Sequence, residues 1–292
     1  MELRKGAELI GAATLAVFSD EAGCGSSAKR YVKQFSRGVL ASIISLIQSF
    51  EDGSAIVEDG NVGAMKTGAV WSACDAIQQL PKGNRNAMRR ECMVWIRDCI
   101  ESIEEFEEMM NRGEREDGDE DEMEEEEMYS KTEMKIAKAA VNVMKCSKNV
   151  LGLVMRACDC VGELIENPQK IDLQQDASST THSHEKIISE MLTWISHLHE
   201  LARSIGVGVT DYGVLLYPPL ELNDNPSEST LGQQLKSQLE MLDRCMKCIN
   251  EATLPISGFS LKSCMSEEVV EMMQKLRKGV EARTAEVESI LS

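Results

Sequence analysis

Apolar residues recur along most of this chain at spacings of three and four, the period of a helix that buries one face. Residues 2–19 place Leu3, Ala7, Ile10, Ala13 or Leu15, and Phe18 on such a stripe, and the polar stretch Ser19–Ser27 breaks it. A second helix is predicted over Ser26–Phe50, with Val32, Phe35, Val39, Ile43, Ile47 and Phe50 turned inward, and Glu51-Asp52-Gly53-Ser54 ends it. A third covers Val62–Leu80 and stops at Pro81-Lys82-Gly83-Asn84. The fourth repeats Met88, Cys92, Trp95, Cys99, Ile103, Phe106 and Met110 in near-heptad order. That order suits antiparallel packing at a shallow crossing angle and puts Trp95 in the core.

Beyond residue 128 the pattern resumes. Ile136, Ala140, Val143, Val150, Leu153, Ala157, Val161 and Leu164 mark one long helix that Asn167-Pro168 ends. After a Ser/Thr-rich stretch, Ile187, Met191, Trp194, Leu198, Leu201 and Ile205 predict another. With Gly206, Gly208 and Gly213, the segment Val207–Leu216 reads either as a short helix or as an ordered apolar connection, and Pro218-Pro219 bars a helix through it. The last two helices are predicted over Ser229–Leu254 and Ser266–Ile290, the latter opened by a Ser cap followed by acidic residues.

The run between the two helical parts has no apolar period. From Glu101 to Glu127 there are 16 acidic residues against 2 arginines, a local charge of −14 within a total of −18. Such a stretch repels itself and lacks the apolar surface to offset ordering. The expected organisation is therefore all-α: an antiparallel helical bundle over 1–112, an acidic disordered linker over 113–128, and a second bundle over 129–292. As a functional element the linker either docks a basic surface or acts as a solubilising spacer, and the spacer is the simpler expectation.

Composition narrows the function classes. Aromatic residues are only 4% of the chain, so the cores rest on Leu, Ile, Val, Met, Ala and Cys. No apolar run of about 18 residues is present to span a membrane. Glu2 and Glu8 interrupt any leader-like apolar region, so the first helix is read as part of the mature fold. No helix carries the concentrated Lys and Arg that a phosphate backbone demands, so direct nucleic-acid binding is not expected. The ten cysteines, with no secretory signal, are expected as free thiols in a reducing compartment, cytoplasm or nucleus.

Candidate chemistry is sparse. Cys245-Met246-Lys247-Cys248 is a CxxC placed mid-helix, where two core cysteines are a better reading than a redox or metal pair. His182/His184 and His197/His199 are each two positions apart and so point to different helix faces, a poor metal clamp. No catalytic, cofactor-binding or metal-binding residue is assigned, no cofactor is expected, and the partner-binding residues stay unassigned.

Several strings, taken in order, resemble a known family. Ala69-Val70-Trp71-Ser72-Ala73-Cys74, followed by Gln79-Leu80-Pro81-Lys82-Gly83-Asn84-Arg85-Asn86-Ala87, is similar to a segment of the cyclin-D-binding proteins (the GCIP, or Maid-like, family). Ala13–Ser19, Lys148–Cys160, Leu215-Leu216-Tyr217-Pro218-Pro219 and Leu242–Met246 resemble other segments of it. Family members usually carry more chain ahead of the first string, which implies a shortened first helix or an absent preceding one here. The resemblance implies an all-α, helix-loop-helix-like protein without a DNA-reading basic region. It further implies a negative regulator of cell-cycle progression, nuclear and cytoplasmic, binding D-type cyclins and some helix-loop-helix transcription factors. It carries no catalytic residue. The alternative is a helical scaffold of the vinculin-like type, which rests on bundle architecture alone.

Overall fold

A computed structural model describes residues 2–19, 24–56, 61–112, 128–167, 169, 184–222, 226–252 and 260–292. Among them the secondary structure is helical, apart from an isolated bridge at Tyr129 and Ser260. The long helices are α1 (Glu2–Phe18), α2 (Ser26–Glu51), α3 (Val62–Ile77), α4 (Gly83–Asn111), α5 (Lys131–Glu166), α6 (His184–Gly213), α7 (Thr230–Asn250) and α8 (Glu267–Leu291). The all-α expectation is met. The proposed acidic linker falls almost wholly on 113–127, outside the described residues. The chain condenses into two compact units, 1–88 and 89–292, which divide inside α4 between Met88 and Arg89.

In the first unit α1 and α3 both pack on α2. α1 runs antiparallel to α2: Thr14 Oγ1 lies 2.7 Å from Ser36 Oγ, and Lys29 Nζ stands 6.0 Å from the centre of the Phe18 ring. On α3, Lys66 Nζ donates to Ser45 Oγ at 2.7 Å. The start of α2 is tied to the start of α4, where the Gly25 amide donates to Asn84 Oδ1 at 2.6 Å. Gly53, at φ 78°, takes the left-handed turn that frees the chain from α2.

The second unit is built around α5. Ser130 and Glu133 form a capping box at its start, and twenty of its 36 residues are buried. α6, α7 and α8 pack against it, with α7 also touching α6 and α8. Gln238 of α7 joins three helices at once: its Nε2 donates to Ser147 Oγ on α5 and to Ile205 O on α6, both at 3.0 Å. A buried amide so satisfied fixes register as well as stability.

Several expectations need correction; of the α1 stripe, Leu3, Leu15 and Phe18 are exposed. The helix predicted to end near Ile205 runs on through Gly206 and Gly208 to Gly213. The glycines persist because neighbours occupy the space of a side chain: a Cβ on Gly206 would lie 2.6 Å from the Trp95 ring, and one on Gly208 would lie 2.1 Å from Gln238 Oε1. A further correction concerns α2. Val39 and Ile43 are buried as expected, but Ile47 and Phe50 are exposed, and Leu46 and Ser49 take the buried positions instead.

Candidate partner-binding surface

The groups that could carry chemistry are placed for packing. All ten cysteines are free thiols. Cys245 of the CxxC is buried and Cys248 half-buried, and burial pushes both thiols upward. Burial likewise raises Cys92 and Cys99 to about 12 and Cys146 to about 11. A nucleophilic or redox-active thiol needs the opposite shift. Among the described residues, no three or more His, Cys, Asp or Glu side chains gather to hold a metal ion. No helix of the described residues is long and apolar enough to cross a membrane.

The histidines separate as their spacing implies. His197 is exposed, whereas His199 is fully buried on α6 and hydrogen-bonds through Nε2 to the Glu91 carboxylate of α4. Its Nδ1 lies 3.3 Å from Glu200 Oε1, and the half-buried Trp95 ring is tilted against it at 5.7 Å. Three separate partners hold this imidazole, a supporting arrangement that pins α4 to α6 within the second unit. His182 lies outside the described residues. Trp95, expected in the core, covers Gly206 and His199 from a half-exposed position.

Another polar cluster anchors the segment after α6. Tyr129 donates its hydroxyl to Leu216 O at 2.6 Å, and Glu133 Oε1 accepts the Leu220 amide at 2.7 Å. Tyr217, between them, donates to Glu105 Oε1 at 2.6 Å and packs edge-on against Phe106. Beside it Glu105, Glu108, Met109, Arg112, Tyr217 and Pro218 line an open groove of about 290 Å³. The groove is too shallow and wet for the desolvation that acid–base catalysis by its carboxylates would need.

The first unit presents a different surface. It holds ten of the sixteen large apolar side chains exposed among the described residues, although it is the smaller unit. Leu9 and Leu15 of α1 are 70% and 74% exposed, and Trp71 of α3 is 67% exposed. The local sequence explains why. From Leu9 to Phe18 α1 carries no charged residue, and α3 carries only Lys66 and Asp75, so both are apolar on more sides than α2 can cover. A helix apolar all round is ordinarily buried, yet α3 buries none of its residues. These exposed side chains make α1–α3 the candidate docking surface. No residue of it was assigned from sequence. The signal available there was the near-absence of charge in α3, not any motif.

The fold and surface together define an all-α protein with a packed helical body and an apolar, helical N-terminal face. Residues 5–112 match the family model described as Grap2 and cyclin-D-interacting, N-terminal. The match takes in α1 after its first three residues, α2, α3 and the whole of α4. No curated relative matches the chain.

Proposed function

We propose that the protein is a non-enzymatic interaction regulator that binds a D-type cyclin through α1–α3 and thereby restrains cell-cycle progression. The observation that carries this reading is a coincidence of position. The region matching a cyclin-D-interacting family is also the region whose large apolar side chains, Trp71 foremost, lie open. Trp is among the residues that dominate binding energy when a partner covers them. Helix-loop-helix transcription factors form the second partner class of this proposal, and the protein acts in both cytoplasm and nucleus, as its free thiols suit. The acidic stretch 113–127 serves as a spacer that keeps other acidic surfaces away.

Pull-down with a purified D-type cyclin tests the central claim. Binding at micromolar concentration is expected, with Trp71→Glu weakening it at least about thirtyfold, the loss typical of a central anchor. Absence of binding at that concentration removes the cyclin reading. Co-sedimentation with filaments instead would favour the scaffold alternative.

A further inference from the structure

Both halves of a helix-packing pair lie uncovered on α3, and we infer from this that the protein self-associates, α1–α3 of one copy closing on α1–α3 of a second. The inference rests on reading this face as a docking surface, and not on which cyclin it takes.

Ala64, Gly68, Trp71 and Asp75 follow one another at spacings of four, three and four, so they share one face of α3. Each of the four is exposed, on the side away from Lys66 and its bond to Ser45 of α2. Nothing in the chain lies within 4 Å of where a Cβ on Gly68 would stand. The face therefore carries a large knob, Trp71, and a hollow of small residues, Ala64 and Gly68. In an antiparallel pair of α3 helices related by a two-fold axis, Trp71 of each copy comes opposite Ala64 of the other, beside Gly68. A surface bearing both a knob and its own hollow is self-complementary, the condition for an isologous interface. The second unit shows the same pairing made within one chain, where the Trp95 ring closes on Gly206.

Charge points the same way. Residues 1–88 contain nine acidic and nine basic side chains, so the whole net charge of −18 belongs to the rest of the chain. Two copies can therefore meet through their first units without net charge repulsion.

Sedimentation equilibrium of the full chain from about 1 to 100 µM provides the test, that range bracketing micromolar dimers. Expected is a reversible dimer of the 32.3 kDa chain. Trp71→Glu and Gly68→Leu, both at exposed positions, should each raise its dissociation constant at least about thirtyfold with helicity unchanged. Val214→Glu, at a similarly exposed position of the second unit (64%), should leave the dimer as it was. A chain still monomeric at the highest concentration overturns the inference. So does a dimer that withstands both α3 substitutions, or one lost equally with Val214→Glu. A monomer that binds cyclin through Trp71 keeps the docking face and removes the second copy; a Trp71-dependent dimer without cyclin affinity does the reverse.

Discussion

Gly68 and Gly206 each sit inside a long helix, and they differ in what meets them. The Trp95 ring lies over Gly206, so the missing side chain has a packing reason inside the chain. Gly68 faces open space. The contrast extends to the helices that carry them and the units around those helices. α5, in the second unit, buries more than half its residues, while α3, in the first, buries none. A helix gains most of its stability from a covered apolar face rather than from propensity. The second unit supplies that cover from its own helices; the first leaves a large part of its apolar surface open.

Substitutions on the two sides should separate the units by size and sign. The largest loss is expected from Leu153→Ala, at a fully buried site on α5: about 2–5 kcal/mol, read as a lowered midpoint in chemical denaturation. Gly206→Ala should cost about 1–2 kcal/mol, because overlap with the Trp95 ring outweighs the better helix propensity of Ala. A neutral result there would mean that the ring has room to move aside. The smallest effect, and the opposite sign, belongs to Gly38→Ala on α2, where no atom lies within 4 Å of the new Cβ. A gain of about 0.5–1 kcal/mol is expected there, and a loss would reveal a hidden neighbour on the first unit.

Sequence periodicity located the helices well because caps and stripes are local. Ser266, expected to cap the last helix, accepts the Val269 amide at 3.4 Å. Asn167 likewise caps α5 at the expected place. What stayed hidden depends on residues far apart in the chain. Gly206 and Gly208 left their segment open between a short helix and a connection because Trp95 and Gln238, which fill the space beside them, lie 111 and 30 residues away on other helices. The inward face given to α2 failed at Ile47 and Phe50 for a related reason: a stripe shows which side of a helix is apolar, not whether anything covers it. The same ambiguity concealed the candidate surface, since nothing in the sequence marks Trp71 as exposed and Phe106 as buried. His199 and Glu91 were unreadable as a pair, because their spacing in sequence carries no trace of their contact.

The division of the chain inside α4 has one more consequence. Most of that helix, from Arg89 onward, is packed into the second unit, and Tyr129 re-enters the same unit through its bond to Leu216. Residues 113–127 thus leave from and return to a single folded body. A cut within them would sever the polypeptide yet leave two fragments clasped by the interior they share, so the longest acidic stretch is a natural breakpoint for splitting the protein without dismantling it.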